Sequence, residues 1–294
     1  MRPSETDDRQ SPTLVIMSLS RPYKLNKLKL GCEVTGLKQT EDLSRDLVNM
    51  IKRDVMEQRI LVVRDQQHIT PEIHLAVGRW FGDIESTFYN HPKSPHMDIF
   101  RVSNDRSEGC TQVGRTGWHI DGSFQEAPFS HSIYHIVSVP TASATVFAPL
   151  TEIIERLPPE KRELWERLWM VSDRRSGHHH PLIYSHPDTG KPVLCFHLGM
   201  TDGFILDHDK PTRRELTDRE TREVLDGIHH EFVKNDGEIQ YRHKYSPGDF
   251  IISDNLSVGH EASEETQLGR DKIGLRVMHR VTIAGRQRPT KHTK

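Results

Sequence analysis

The sequence contains few cysteines and no two of them in a CxxC arrangement. Only three of the 294 residues are cysteine, Cys32, Cys110 and Cys195, and they lie far apart along the chain. An odd number of widely spaced cysteines gives no indication of a disulfide framework or a zinc ribbon. This usage is typical of a reducing compartment, and we therefore expect a cytoplasmic protein with small, buried thiols.

Long apolar runs and an excess of one charge are also missing. No segment approaches the roughly 18 consecutive apolar residues of a membrane span. The polar residues 1–20 lack the basic-then-apolar order of a secretory signal and are typical of a disordered leader. The 40 Lys and Arg residues and 42 Asp and Glu residues give a formal net charge of -2. Non-specific binding to nucleic acid needs a surplus of cations, so we expect neither a membrane nor a nucleic acid as a partner.

The chain shows no internal repeat and no linker rich in Gly, Ser or Pro. We therefore predict one domain over residues 21–285, after the leader at 1–20. Residues 286–294 (RQRPTKHTK) are basic, and we predict a frayed, solvated tail there.

The hydrophobic pattern predicts a few helices and many strands. Apolar residues recur at three- and four-residue intervals from Thr40 to Arg59, which indicates an amphipathic helix. Further helices are predicted from Pro71 to Trp80, with Thr70 as the cap, and after Leu157. Alternating or β-branched runs predict strands at 60–64, 129–140, 145–147, 194–196, 249–253 and 275–283. The pattern favours a β-rich α+β protein, an antiparallel sandwich or barrel carrying helices.

Histidine is unusually frequent, with 19 residues. The run His178, His179 and His180 looks like a metal-binding tract. However, adjacent residues on a strand point to opposite faces and cannot converge on one ion. We expect this run to be a loop feature.

A His-x-Asp sequence lies in the segment from Gly117 to Phe124 (GWHIDGSF). On a strand, His119 and Asp121 would project to the same side. One more histidine would complete the set of two histidines and one carboxylate that binds non-haem Fe(II) with open positions. Taken alone, the tripeptide is weak evidence, because it occurs by chance in many proteins and is more often a polar pair on a surface strand.

Support comes from the C-terminal third of the chain. An apolar strand at Asp249–Ser253 is followed by His260, a suitable third ligand. In the strand that follows, Arg276, Met278 and Arg280 share one face. An arginine inside a β-barrel is unfavourable unless it meets an anion, so this face favours a carboxylate or sulfonate partner. An internal ion pair to Asp or Glu is the alternative.

Together these segments resemble the taurine dioxygenase (TauD/TfdA) branch of the Fe(II)/2-oxoglutarate-dependent oxygenases, from about Leu28 to Gly285. The matching segments are WHxD at 118–121, PGD followed by an apolar strand, DN and His at 247–260, RxMHRxTI at 276–283, and HPL with HPDTGK at 180–191. The order and spacing of four separate motifs make the joint match specific.

The resemblance implies a double-stranded β-helix (jelly roll, cupin-like) core with flanking helices, and often a homo-oligomer. It implies Fe(II), with 2-oxoglutarate and O2 as co-substrates. The residues carried over are His119, Asp121 and His260 as catalytic iron ligands, Thr145 and Arg276 for 2-oxoglutarate, Arg280 where the taurine enzyme binds sulfonate, and Arg115 and His91 near other substrate-lining positions.

The sequence departs from the family pattern at several positions. Ser253 replaces the usual tryptophan before the DN pair, and Leu256 replaces the basic residue after it. Ser143 and Ala144 stand where a glycine pair is usual. Arg270 lies nearer the family spacing than Arg276, but a charged, Gly-rich loop surrounds it, so we favour Arg276.

The function implied is oxidation of an unactivated C–H bond in a small anionic, amino-acid-like carboxylate or sulfonate, with decarboxylation of 2-oxoglutarate to succinate and CO2. One alternative is desaturation or oxidative cyclisation in specialised-metabolite biosynthesis. Another is a non-catalytic jelly-roll binding protein. A protein side chain or nucleic acid as substrate is less consistent with the near-neutral charge.

Overall fold

The computed structural model describes residues 21–40, 42–85, 90–114, 117–139, 143–172 and 177–293. The predicted leader therefore lies outside the described residues. The helices are α1 (Arg45–Gln58), α2 (Pro71–Phe81), α3 (Leu150–Glu155), α4 (Pro159–Arg167), α5 (Asp218–Gly237) and α6 (Arg270–Ile273). The strands are β1 (Lys24–Lys27), β2 (Cys32–Thr35), β3 (Ile60–Val63), β4 (Phe100–Ser103), β5 (His131–Ser138), β6 (Ala144–Pro149), β7 (Leu168–Ser172), β8 (His179–Pro181), β9 (Ile183–Ser185), β10 (Pro192–Leu194), β11 (Thr201–Leu206), β12 (Arg214–Glu215), β13 (Tyr241–Lys244), β14 (Phe250–Asp254), β15 (Val258–Ala262) and β16 (Val277–Ile283).

Two sheets position the site. The larger has the strand order β1-β2-β3-β14-β5-β16-β4, and the smaller has the order β13-β6-β15. Strands β14 and β15 follow each other in the chain but belong to different sheets, as do β5 and β6. Two peripheral sheets, β12-β11-β7-β8 and β10-β9, complete the β structure of the described residues. The predicted β-rich architecture with helices is confirmed.

Strand β3 shows why the larger sheet is apolar on both faces. All four of its residues are buried. Leu61 and Val63 pack with α1 and α2, whereas Ile60 and Val62 pack with residues of the smaller sheet such as Phe147. A strand covered on both sides needs a continuous apolar run instead of alternation, which is what the sequence provides.

The predicted helices at the start of the chain are present, with one shifted boundary. Helix α1 begins at Arg45 instead of Thr40, because the side chain of Ser44 accepts a hydrogen bond from the Leu47 N–H and caps the helix. Helix α2 begins at Pro71, and Thr70 caps it as expected. None of the helices in the described part of the chain is long and apolar enough to cross a membrane. A cytoplasmic location stays a prediction.

Helix α5 is the main element that our sequence analysis did not predict. It begins with a capping box, in which Thr217 and Glu220 each bond the other's backbone N–H. Its apolar residues Val224, Ile228 and Phe232 recur every four residues and are buried. Both signals are present in the sequence, so this helix was predictable.

Two other segments differ from expectation. His179 and His180 lie on strand β8, which pairs with β7, so the histidine run is not a loop. Their rings do have separate partners: His179 lies near His208, and His180 Nε2 is 2.8 Å from the carbonyl oxygen of Gln125. The C-terminal segment is not frayed within residues 286–293, since Ser185 N–H donates to Thr290 O at 3.1 Å and Pro289 is buried.

Candidate metal and co-substrate site

The His-x-Asp segment is extended but does not form a regular strand. Gly117 precedes it and Gly122 follows it, both with positive φ, +81° and +72°. A Cβ atom at Gly122 would lie 2.7 Å from the Phe129 ring, so a side chain does not fit there. Glycine therefore allows the chain to turn immediately after Asp121. Our expectation of a strand was wrong for this segment, although His119 forms isolated bridges.

Those bridges bring His119 and His260 together. The His119 N–H donates to His260 O at 3.0 Å, and the His260 N–H donates to His119 O at 2.9 Å. Residues directly opposite each other in an antiparallel pair present their side chains to the same face. The two imidazole centroids are consequently 4.4 Å apart. Strand β15 supplies His260, and its pairing with β6 fixes the register.

The side-chain amide of Asn255 fixes the backbone of Asp121. The Asp121 N–H donates to Asn255 Oδ1 at 2.8 Å. Asn255 Nδ2 donates to Asp121 O at 2.9 Å and to Phe129 O at 2.6 Å. The carboxylate itself accepts hydrogen bonds from Ser132 Oγ and Arg280 Nη1, both at 2.7 Å. Sequence reasoning did not assign roles to Asn255 or Ser132, although Asn255 belongs to the DN pair.

Three side chains therefore converge. One ligand atom from each of His119, Asp121 and His260 lies within 4.8 Å of the others, and all three residues are buried. His119 Nε2 is 3.9 Å from Asp121 Oδ1, and His260 Nε2 is 3.6 Å from Asp121 Oδ2. This group could hold a metal ion, and its donor types suit Fe(II) with open positions.

The protonation states also suit a metal ligand set. His119 Nδ1 lies 2.6 Å from Gly117 O, where it donates, and this leaves the Nε2 lone pair free. Burial lowers the pKa of His119 and lowers that of His260 to about 3, so both rings are neutral at pH 7. Burial by itself would raise the pKa of Asp121, but the charge of Arg280 and the hydrogen bond from Ser132 act against it, and the pKa lies below its ordinary value. The carboxylate is therefore ionised.

The group opens into a cavity of 330 Å³. Thr145 and Arg276 line this cavity with the three converging residues. Most of the other lining side chains are apolar or aromatic: Phe100, Val102, Cys110, Val113, Phe124, Phe129, Tyr134, Met200, Ala262 and Met278. The polar ones are Thr111, Gln112, His197 and Arg280. The size is in the range of small-molecule sites.

Arg276 is a buried cation without an anion. Its exposed fraction is 4%, its Nε has no hydrogen-bond partner, and no described Asp or Glu forms an ion pair with it. Burial lowers the pKa of its guanidinium. Its backbone N–H donates to Asn104 Oδ1 at 2.8 Å instead of to a neighbouring strand, so β16 begins one residue later. A buried guanidinium of this kind favours an anionic ligand.

Thr145 and Tyr245 form a hydrogen-bonded pair of hydroxyl groups near Arg276. Both side chains are buried, and burial raises the pKa of Tyr245. Sequence reasoning missed Tyr245, which lies in the connection after β13, where no periodic pattern indicates which side chains point inward. Arg270, the alternative to Arg276, lies in α6, forms an ion pair with Asp105 and does not line the cavity.

Arg280 shares the cavity face predicted for it but is already paired. Its Nη1 lies 2.7 Å from Asp121 Oδ1, and its guanidinium lies 5.1 Å from the centre of the Phe100 ring. Its Nε has no partner. For Arg280, an internal ion pair therefore accounts for the buried charge. For Arg276, no such pair is found among the described residues, and an anionic ligand remains the prediction.

The other two candidates for substrate binding stand apart from these residues. Arg115 lies outside the described residues. His91 is not among the residues that line the cavity. Its Nδ1 accepts a hydrogen bond from Lys93 N–H, and its Nε2 lies 3.1 Å from Arg106 O. The two ring nitrogens thus have backbone partners in the loops before and after β4.

His197 is a further residue that sequence reasoning missed. Its ring stacks on that of His119 with centroids 4.6 Å apart, and it lines the cavity. The Gly199 N–H donates to His197 Nδ1 at 3.2 Å, so the proton of this neutral ring lies on Nε2. An isolated bridge to His119 places it there.

Comparisons with known proteins agree with this geometry. The family model described as "Taurine catabolism dioxygenase TauD, TfdA family" matches residues 23–282. The pentalenolactone F synthase of Streptomyces arenae is 26% identical over 269 residues, covering 79% of this chain and 86% of the relative. The alpha-ketoglutarate-dependent sulfonate dioxygenase of Saccharomyces cerevisiae is 25% identical over 262 residues, covering 80% of this chain and 60% of the relative.

Solved structures give the same fold. A taurine dioxygenase from Burkholderia xenovorans superposes with a TM-score of 0.74 at 23% identity, covering 92% of this chain and 93% of that one. The family match spans most of the chain, and the site contains residues that could bind its metal and co-substrate. The chain therefore belongs to the TauD/TfdA family and is an Fe(II)/2-oxoglutarate-dependent dioxygenase.

Proposed function

We propose that this enzyme oxidises a C–H bond of a small organic anion, with His119, Asp121 and His260 as the iron ligands. The observation that carries the proposal is the reciprocal backbone pairing of His119 with His260 beside an ionised Asp121. This pairing aims two neutral imidazoles and one carboxylate at a single point on the wall of a cavity. A non-catalytic binding protein is no longer a suitable interpretation, because the chain belongs to a dioxygenase family and has relatives named as alpha-ketoglutarate-dependent dioxygenases.

The bound cofactors would supply the oxidising chemistry, in which 2-oxoglutarate and O2 give succinate and CO2 and one oxygen atom goes to the substrate. The residues supply binding and orientation. Arg276 and Thr145 would hold a carboxylate of 2-oxoglutarate, since Arg276 is a buried cation lacking an anion and Thr145 adds a hydroxyl. Tyr245 would orient the Thr145 hydroxyl through their hydrogen bond. Asn255 and Ser132 would hold Asp121 in place.

The lining of the cavity favours a substrate with an anionic group and an apolar body. One N–H of Arg280 donates a hydrogen bond to Asp121. Its Nε–H has no partner and could donate a hydrogen bond to an anionic substrate. Phe124, Phe129 and Met200 offer apolar contact. Relatives include the yeast enzyme named for sulfonates and a Pseudomonas putida enzyme named for sulfate esters, 22% identical over 286 residues. We include Arg115 as a candidate contact on the resemblance alone, and His91 is a weaker candidate because its nitrogens have other partners.

Desaturation or ring closure with the same cofactors is the second candidate. The largely apolar lining of the cavity supports it, and one relative, the pentalenolactone F synthase, is named for its product and not for a sulfonate or sulfate ester. The two candidates differ in the fate of the substrate and share the iron site.

We also infer that the two main sheets form a double-stranded β-helix within one domain over residues 21–285. The supporting observation is that the chain passes from one sheet to the other between β5 and β6 and again between β14 and β15. Apolar side chains from both sheets, such as Val62 and Phe147, pack in one cluster between them. A homo-oligomer is a further expectation from the family.

The test is succinate formation from 2-oxoglutarate by protein supplied with Fe(II) and O2, across a panel of sulfonates, sulfate esters and carboxylates. We expect one class to stimulate succinate formation strongly. Mass analysis of the product separates the candidates: gain of one oxygen atom indicates hydroxylation, and loss of two hydrogen atoms indicates desaturation or ring closure. Folded protein that binds neither Fe(II) nor 2-oxoglutarate would refute the proposal.

A further inference from the structure

We propose that 2-oxoglutarate and succinate exchange through a second, polar opening behind Arg276, separate from the opening used by the oxidised substrate. This inference rests on the proposed role of Arg276 in binding 2-oxoglutarate.

The second opening is a cavity of 240 Å³ next to the active-site cavity. Arg276 lines both cavities, so this residue lies at their junction. The other shared residues form the wall between them: Val102 on β4, and Thr111, Gln112 and Val113 in the loop that follows. A dicarboxylate held by Arg276 can therefore be reached from either side of this wall.

The two cavities differ in chemistry. On the active-site side, the residues beyond the shared wall are mainly aromatic or apolar, such as Phe124, Phe129 and Met200. On the far side they are polar: Ser103, Asn104, Arg106, Thr266 and Gln267. No described Asp or Glu lines this second cavity, which contains two arginines. A hydrophilic dianion suits the polar side, and a substrate with an apolar body suits the other.

Two features of the wall, a strained residue and a long hydrogen bond, would favour a small movement of residues 111–113. Gln112 adopts a left-handed backbone conformation with φ of +65°, which is unfavourable for a residue other than glycine. The side chain of Gln267 donates to Val113 O at 3.3 Å, a long hydrogen bond. Small displacement of residues 111–113 would widen the junction at Arg276. Succinate could then leave while the oxidised product still occupies the active-site cavity.

The steric test compares two matched tryptophan variants. Gln267→Trp fills the second cavity only, and Met200→Trp narrows the active-site cavity only. Binding of 2-oxoglutarate to the anaerobic Fe(II) protein is followed by stopped flow through the visible absorption of the chelate. We expect Gln267→Trp to slow association and dissociation alike by about 10-fold, because a narrowed route affects both directions. The equilibrium Kd should stay unchanged, and Met200→Trp should leave both rates as in the wild type.

A charge test does not depend on tolerance of a large side chain. Arg106 is exposed and lines only the second cavity, so Arg106→Glu should slow association of the dianion about 5-fold at low salt and less at high salt. Arg219→Glu makes the same change of charge on exposed α5 and should have no effect.

The outcomes separate the two proposals. Slower exchange in Met200→Trp, with wild-type rates in Gln267→Trp and Arg106→Glu, would show that 2-oxoglutarate uses the substrate opening and would overturn this inference. Failure of the wild-type protein to bind 2-oxoglutarate at all would instead refute the proposed function.

Discussion

Replacing Arg276 should affect stability and binding in opposite directions. The wild-type guanidinium is buried at 4% exposure and has no anion among the described residues. Arg276→Met removes this charge and keeps a long apolar side chain. The metal-free variant should therefore be more stable than the wild type, while its affinity for 2-oxoglutarate should collapse. A residue that serves only to stabilise the fold would show the opposite change in stability.

The magnitudes follow from the burial. Replacing a buried ion pair by apolar residues is neutral or stabilises by about 1–4 kcal/mol, whereas removing one partner of a buried pair costs about 3–5 kcal/mol. Because no described anion compensates the desolvation of Arg276, we expect Arg276→Met to fall within the first range. The second figure corresponds to a loss of affinity of roughly 100-fold to a few thousand-fold. For a chain of this size, a gain of 1 kcal/mol raises the Tm by about 2–4 °C.

Two assays check the prediction: thermal unfolding of metal-free protein, and calorimetric titration of 2-oxoglutarate into Mn(II)-loaded protein. Arg270→Met is the matched control, because Arg270 is exposed and paired with Asp105. It should change the Kd for 2-oxoglutarate less than about threefold, as expected for a residue outside the site. The reasoning is refuted if Arg276→Met binds 2-oxoglutarate like the wild type, or if Arg270→Met loses binding instead.

Three further predictions follow. Asn255→Ala removes the amide that holds the Asp121 backbone, and equilibrium dialysis should show Fe(II) affinity about 10- to 100-fold weaker; an unchanged affinity would contradict this role. His74 is buried with a pKa lowered to about 3, chiefly by burial, so its contribution to stability is present above pH 6.5 and is lost as the pH falls towards 3. His74→Gln should therefore reduce the loss of unfolding free energy between pH 7 and pH 5 by about 2 kcal/mol in urea titrations; the same loss in both proteins would count against it. Deletion of residues 286–294 should destabilise the protein by about 2 kcal/mol and lower its Tm, because Thr290 O accepts a hydrogen bond from Ser185 N–H and Pro289 is buried. An unchanged Tm would instead support the original prediction of a frayed, solvated tail.

The sequence predicted which residues meet in the cavity better than it predicted the elements around them. The spacing of His119 and Asp121, and the shared face of Arg276, Met278 and Arg280, are local patterns. Strand periodicity preserves the second pattern on β16. The first pattern lies outside a regular strand, where the pairing of His119 with His260 and the contacts of Asn255 with Asp121 position the side chains. The cavity contains all five of these residues.

What the sequence could not provide are contacts between distant segments. The backbone pairing of His119 with His260, and the ion pair of Arg280 with Asp121, depend on register between segments far apart in the chain. No local periodicity encodes that register. The same holds for Tyr245, whose inward direction follows from the way β13 joins the smaller sheet. Helix α5 could have been predicted, because its capping box and the spacing of its apolar residues are local features of the sequence.

The most direct test of the proposed iron site is anaerobic titration of the metal-free protein with Fe(II). The wild type should bind one ion per chain, and His260→Gln and Asp121→Asn should lose this binding while keeping their far-UV circular dichroism. His197→Gln is the control, because His197 stacks on His119 in the same cavity but lies outside the converging group; it should still bind one ion. Stoichiometric binding in His260→Gln and Asp121→Asn, with loss in His197→Gln, would contradict the account.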